Sequence, residues 1–246
     1  MESIKTRGLI IRASDYGETA RILSIFTEDL GVIQATVYGA HSKKKGLGAS
    51  SRIFTWSEFL LTNSKGKWRA DEIKTKEGFF PLSEDIVKLS LSVYLADLAY
   101  SAVGPENKDM GVLRLLLNTI YAICYGEVDL DVAKTVYEFR LAKEGGYMPN
   151  LENCVSCGQD TYGEIYFDTE SGGIVCEKCR RPKSVFLTKA QYEALKYIFT
   201  ADDKKIFSFE TKGDVFDLLS SLSERYILNH LEQNFKSLEY YKKIKI

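Results

Sequence analysis

The sequence predicts an α+β protein, a small β-barrel followed by a helical domain, and three observations predict it. Residues 1–76 read as short apolar runs broken by glycine-containing turns. From Pro81 onward apolar residues recur at helical spacing, behind acidic or hydroxyl residues that suit helix starts. Between the helices, two C-x-x-C pairs flank a stretch that itself reads as a hairpin. The boundary is drawn at residue 80, with a barrel domain over 1–80, a helical domain over 81–246 and the cysteine segment 150–183 inside the latter.

Five strands are expected in the barrel: Lys5–Arg12, Ala20–Thr27, Val32–Tyr38, Ile53–Thr62 and Lys67–Lys74. Asp15-Tyr16-Gly17-Glu18, Glu28-Asp29-Leu30-Gly31 and Asn63-Ser64-Lys65-Gly66 supply turns. The fourth strand has apolar residues on both faces, Phe54, Trp56 and Leu60 on one and Phe59 and Leu61 on the other, which marks it as central. Five short strands in this length suit a closed or nearly closed barrel, the oligonucleotide/oligosaccharide-binding (OB) type among them.

The polar stretch Gly39–Arg52 joins the third and fourth strands and carries Lys43, Lys44 and Lys45 in succession. Lysines deliver charge without demanding one geometry, so such a loop can follow a phosphate backbone; a merely solvated loop is the plain alternative. Gly46-Leu47-Gly48 lacks the third glycine and the following helix of a dinucleotide fingerprint. No G-x-x-x-x-G-K-[ST] loop is present, so nothing in the sequence points to ATP.

Pro81 marks the change to helix. Ser83, followed by Glu84 and Asp85, is the expected cap of a helix with apolar positions Ile86, Leu89, Val93, Leu95 and Leu98. A second helix, Asp109–Tyr125, is apolar nearly all round and should be buried, with Cys124 a small core residue. A third starts near Asp129 and ends at Gly145-Gly146, where glycine supplies the left-handed turn. Thr188-x-x-Gln191 is a capping box opening a helix to Phe199, and a last helix runs from about Asp214 into Tyr240-Tyr241.

The cysteine pairs are Cys154-Val-Ser-Cys157 and Cys176-Glu-Lys-Cys179. Each C-x-x-C lets two thiolates on one tight turn reach the same ion, and two facing turns complete a tetrahedral shell, the spacing of a structural zinc site. Two disulfides or four free thiols are the alternatives. Glu164–Asp168 and Ile174-Val175 read as the strands between the pairs, with Ser171-Gly172-Gly173 as their turn. A four-thiolate zinc has no open position for water or substrate, so it would hold structure rather than do chemistry. The only histidines, His41 and His230, lie far from the first pair, and no H-x-E segment accompanies it as in zinc deaminases. With no nucleotide loop, no open metal site and no carboxylate constellation, the sequence does not read as an enzyme.

Over 246 residues, 45% hydrophobic and 27% charged residues describe an ordinary globular chain long enough for two modest cores. No apolar run of membrane-spanning length and no signal peptide are found, and five cysteines with four in metal spacing suit a reducing cytosol. The net charge of −1 hides an asymmetry: residues 1–76 hold 13 Lys and Arg against 8 Asp and Glu, the remainder 20 against 26. A basic first third suggests an anionic partner such as nucleic acid, with a solvated surface as the alternative.

Gly8-Leu9-Ile10-Ile11, Tyr16-Gly17-Glu18, Phe26-Thr27, Leu30-Gly31 and Tyr38-Gly39-Ala40 resemble the opening strands of the bacterial RecO family of DNA repair and recombination mediators. The resemblance continues through Phe139-Arg140-Leu141, Gly146-Tyr147-Met148-Pro149, Leu151, Cys154-x-x-Cys157-Gly158, Gly172-Gly173 and Cys176-x-x-Cys179 to Asn229-His230-Leu231 and Lys236-Ser237. It implies an OB-fold domain, a helical domain carrying one zinc per chain, and binding to single- and double-stranded DNA. It also implies ATP-independent strand annealing, and RecR and single-stranded DNA-binding protein (SSB) as partners in loading RecA. A cytoplasmic, nucleoid-associated protein is expected. The alternative is a zinc-ribbon accessory module that binds RNA.

The expected phosphate contacts are Lys43, Lys44, Lys45 and Arg52, supported by Arg7, Arg12, Arg21 and Arg69. Tyr16, Tyr38 and Trp56 are candidates for base stacking or for core. Lys178, Arg180, Arg181 and Lys183, after the second cysteine pair, form either a second strand-contacting patch or a balance for acidic helices. Arg140 and Lys143, from their place on an amphipathic helix, are candidate contacts for the acidic, hydrophobic tail of SSB.

Overall fold

The structure is a computed structural model describing residues 2–40, 47–161, 163–208 and 215–245. Its first elements are β1 (Glu2–Tyr16), β2 (Ala20–Thr27), β3 (Gly31–Tyr38), the single helical turn α1 (Leu47–Ser50), β4 (Trp56–Ser64) and β5 (Lys67–Glu77). Helices α2 (Ile86–Val103), α3 (Met110–Tyr125) and α4 (Leu130–Glu144) follow. Strands β6 (Ile165–Asp168), β7 (Gly173–Cys176) and β8 (Val185–Leu187) lead to α5 (Lys189–Thr200), α6 (Val215–Leu231) and α7 (Lys236–Ile244). Backbone packing forms two compact units, Met1–Gly126 with Phe235–Ile246, and Glu127–Asn234. The division at residue 80 separates strand from helix; the packing division groups α2, α3 and α7 with the barrel.

In the first unit the strands close in the order β1-β2-β3-β5-β4, an OB-type barrel. β1 is longer than its apolar run because it serves two partners. Glu2–Leu9 pairs with β4 and Gly8–Tyr16 with β2, with a register shift between Ile10 and Arg12 that bends the strand. Closure comes from a short parallel contact, Ala35 and Thr36 of β3 against Trp68 and Arg69 of β5. Ile10, Leu23, Ile25, Val37, Phe59 and Leu61 are among the residues that fill the interior. β4 is hydrogen-bonded along both edges, as its two apolar faces predict. It begins at Trp56 because Phe54 is left-handed, φ 57°. Gly31 is required: a Cβ there would lie 2.1 Å from the carbonyl oxygen of Asn107.

Three helix expectations need correction. The cap of α2 is Asp85, whose carboxylate accepts from the N–H groups of Val87 and Lys88; Pro81 first starts a separate 3-10 turn, Phe80–Glu84, that absorbs Ser83. α2 is also long and apolar enough to cross a membrane, contrary to the sequence reading, but Leu91, Tyr94, Leu95, Leu98 and Ala99 are buried in its unit. The single last helix is two: α6 ends at Leu231, Glu232 is left-handed at φ 49°, and α7 restarts at Lys236.

In the second unit, α4 is buried along an unbroken run from Val132 to Ala142. It is the central helix, whereas α3, expected to be enclosed, exposes Met110, Tyr121 and Tyr125. Phe139 of α4 meets Phe167 of β6, Phe199 of α5 and Tyr226 of α6 at ring separations of 6.3, 5.5 and 6.2 Å. The β7-β6-β8 sheet is thereby fastened to the helices. β8 is a third strand that the sequence reading did not anticipate.

Asp168 holds the hairpin turn. It is 3% exposed, accepts from the Ser171 N–H at 2.7 Å and takes the Ser184 hydroxyl at 2.7 Å. Burial raises its pKa, but the hydrogen bonds from Ser184 and Ser171 outweigh this and hold it below 3.8. Its contribution is therefore present above the ordinary aspartate pKa and is lost as pH falls through the depressed folded-state value. Asp168→Ala is expected to destabilise the protein by about 1–3 kcal/mol by leaving these donors unpaired. Urea unfolding near neutral pH checks this, and an unchanged midpoint would refute it.

Candidate functional site

The cysteine site lies in the second unit. Gly158 donates to the Cys154 carbonyl at 2.8 Å and is left-handed at φ 72°, which turns the chain so that Cys154 and Cys157 approach. Cys176 ends β7 and Cys179 closes the 3-10 turn Glu177–Cys179. Gly173 lets the first pair pack on β7. A Cβ there would lie 2.4 Å from the Asn150 carbonyl oxygen, and the Val155 N–H donates to the Ile174 carbonyl at 2.9 Å.

The four Sγ atoms lie within 4.8 Å of one another. Tetrahedral zinc with bonds of about 2.3 Å separates its sulfurs by about 3.8 Å. Burial raises the Cys154 thiol, but backbone groups of Cys176, Cys157 and Ser156 outweigh this and bring it to about 6. Hydrogen bonds to Cys176 and Cys157 push Cys179 up to about 12. The donor set, four soft thiolates in a closed shell, fits zinc.

On the barrel, four of the predicted cations already face carboxylates. Arg7 pairs with Glu28 at 2.8 Å, Arg21 with Asp15 at 2.8 Å and Arg69 with Asp71 at 2.6 Å. Arg12 pairs with Asp97 at 2.6 Å and its guanidinium lies 4.3 Å from the centre of the Tyr100 ring. Asp97 also accepts from Ser237 at 2.7 Å, so Arg12 has the geometry of a strut from β1 to α2 and α7. The Arg7 and Arg69 pairs are half-exposed and worth little, so a phosphate can compete for either arginine. Arg52 is exposed and has no ion pair among the described residues. Lys43, Lys44 and Lys45 lie outside the described residues.

A groove of about 640 Å³ runs along β5, lined by Tyr38, Leu47, Arg69, Ile73 and Lys74, with Asp71 and Glu72 beside them. Tyr38 and Tyr16 are exposed, whereas Trp56 is half-buried. The sequence reading missed Lys74, which the register shift at Asp71 returns to the exposed side of β5, where it lines the same groove as Arg69.

The cations after the second cysteine pair are brought together on the hairpin. Lys178, Arg180, Arg181 and Lys183 are all exposed. Arg180 lies 5.2 Å from the centre of the Tyr166 ring and donates to its hydroxyl at 3.1 Å, while Lys183 pairs with Glu170 at 2.8 Å. Arg140 and Lys143 do not share this exposure. α4 is not amphipathic, and the side chain of Arg140 is 4% exposed. Arg140 donates to the Ala201 carbonyl and Lys143 to that of Phe199, so both cap the C-terminal end of α5.

Two family models match this chain. Residues 1–79 match "Recombination protein O N terminal" and residues 83–239 match "Recombination protein O C terminal". The chain belongs to the RecO family. It is 32% identical to the DNA repair protein RecO of Alkaliphilus metalliredigens, over 98% of this chain and 99% of that one. It is 29% identical to the RecO of Caldicellulosiruptor saccharolyticus and 28% identical to that of Clostridium perfringens, in both cases over all of each chain. The RecO N-terminal match ends beside the barrel's last strand, and the RecO C-terminal match contains the four cysteines.

Proposed function

We propose that this RecO-family chain is a non-enzymatic mediator of DNA repair and homologous recombination. It binds single- and double-stranded DNA, anneals complementary strands without ATP and, with RecR, helps to load RecA onto SSB-coated DNA. Residues 1–80 act as the OB nucleic-acid-binding domain and 81–246 as the helical domain, with one structural zinc held by Cys154, Cys157, Cys176 and Cys179. The protein works in the cytoplasm, at the nucleoid. The observation that carries this reading is the match to both RecO regions on a chain that keeps the OB-type barrel and the cysteine cluster.

Annealing needs no bond chemistry. It needs two strands held close, with phosphate repulsion reduced and bases left free. Exposed cations in two regions support it: on the barrel, Arg69 and Lys74 along the β5 groove and Arg52 apart from them, and beside the cysteine site, Lys178, Arg180 and Arg181. The deciding experiment mixes SSB-coated complementary oligonucleotides with the protein and follows duplex formation by fluorescence, with and without nucleotide. Acceleration in both conditions is expected. Duplex formation no faster than with SSB alone, with RecR present or absent, would favour an RNA-binding zinc module instead.

The lysine loop makes a separate prediction. Replacing Lys43, Lys44 and Lys45 with glutamate is expected to weaken single-strand binding. It should also flatten the slope of log affinity against log salt by about 0.7 for each phosphate that is no longer neutralised. Anisotropy titrations across a salt series measure both, and an unchanged slope would reduce the loop to a solvated connection.

A further inference from the structure

Alternation along β8 makes Phe186 conspicuous. Its neighbours Val185 and Leu187 turn toward the protein, with Leu187 3% exposed, while Phe186 stands on the other face and is 46% exposed. That face is covered over β6 and β7, where Tyr166 and Val175 are buried against Cys154, and opens at the edge strand β8. The ring is held in place. Phe186 is directly opposite Tyr166 in the antiparallel pairing, and the two rings are 5.7 Å apart at 63°. Tyr166 is nearly buried, packs with Cys154 and Val175, and also carries the Arg180 guanidinium against its ring. The Glu164 carboxylate accepts the Tyr166 hydroxyl at 2.6 Å. Phe186 therefore presents a fixed aromatic face beside Arg180, on the same exposed segment as Lys178 and Arg181.

We infer that Phe186 is a stacking platform for an unpaired base, with Arg180 and Lys178 holding the phosphates on either side of it. The occupant is a single strand, DNA or RNA, because only an unpaired nucleotide offers both a free π-face and a phosphate charge at this spacing. A duplex keeps its base faces stacked and meets the cations alone. This inference rests on the proposed nucleic-acid-binding role of the hairpin and adds to it a basis for preferring single strands. Tyr166 acts as a positioning residue, because its ring supports both Phe186 and Arg180 without being exposed itself.

The test uses the full-length, metal-loaded protein and compares an oligothymidylate with a blunt duplex of equal length by fluorescence anisotropy. Phe186→Ala is expected to weaken single-strand binding about fivefold to a hundredfold and to leave duplex binding unchanged. Phe186→Trp should retain affinity. Phe186→Leu, which keeps apolar bulk without a π-face, should behave like the alanine variant. The ring is partly exposed, so all three variants should stay folded, with at most a small fall in the unfolding midpoint from the lost contact with Tyr166. Equal weakening on both ligands, or wild-type affinity in the alanine variant, overturns the stacking site. If Arg180→Glu with Arg181→Glu then weakens both ligands, the hairpin stands as a DNA surface without a platform. If that pair also has no effect, the hairpin's nucleic-acid role falls with it.

Discussion

Cys157→Ser is expected to abolish metal binding and lower the thermal midpoint by about 6–12 °C, equivalent to about 3 kcal/mol in a chain of this size. Position 157 is informative because its side chain is exposed, so the substitution removes a ligand without opening a cavity. The remaining three sulfurs cannot close a tetrahedral shell, and thiolate affinity for zinc is folding free energy in small metal-held segments. The effect should not extend to global unfolding. Phe167 still packs on Phe139 and Tyr226, and Gly173 still lies against Asn150, so the hairpin keeps an apolar anchor. Metal analysis of protein purified without added zinc should give one zinc in the parent chain and none in the variant. Calorimetry gives the midpoints, and a metal-free parent of equal stability would remove the zinc from this account.

Lys134→Met is expected to cost about 3–5 kcal/mol, because it leaves a buried carboxylate without its cation. The Lys134 ammonium lies 3.0 Å from Glu138 and 3.1 Å from Glu224, and Glu138 is completely buried. The Ser223 hydroxyl donates to Glu138 at 2.5 Å but brings no charge. Burial lowers the pKa of Lys134, while Glu138 and Glu224 raise it further, so the net shift is upward from 10.5. The stabilisation is therefore fully present below the ordinary lysine pKa and is lost only as pH rises through the higher folded-state value. Replacing both members, Lys134→Met with Glu138→Met, should recover most of the loss, since a well-packed apolar pair is often no worse than a buried ion pair. Urea unfolding of the single and double variants measures the coupling. Equal destabilisation by both would mean that the network contributes through packing rather than charge.

The same helix shows where sequence periodicity stops being informative. Arg140 and Lys143 make α4 read as an amphipathic helix with a polar face, and α3, with its apolar circumference, reads as the buried one. In the structure α4 is buried all round from Val132 to Ala142, whereas α3 buries one side and exposes Met110, Tyr121 and Tyr125. Lys134 has a local partner in Glu138, but its second partner, Glu224, and the end of α5 that receives Arg140 are distant in sequence, and no local pattern reveals them. Once paired these charges can be buried, and the helix becomes central. The barrel arginines illustrate the same point. Five arginines suggest a basic face, yet four are opposed by acids; Asp71 and Asp15 stand two and six residues from Arg69 and Arg21, while Glu28 reaches Arg7 and Asp97 reaches Arg12 only through folding.

What the sequence determined by itself rests on short-range chemistry. The cysteine spacing places two thiolates on each turn, the alternating strands specify a barrel, and Thr188-x-x-Gln191 forms both bonds of its capping box. Each of these depends on atoms a few residues apart, so the chain encodes them locally. Tertiary structure alone decided which charges are spent on one another, that α7 packs with the barrel unit, and that Phe186 stands outward beside Arg180. Those outcomes depend on Coulomb and packing terms whose sign is set only when burial and partner are known together.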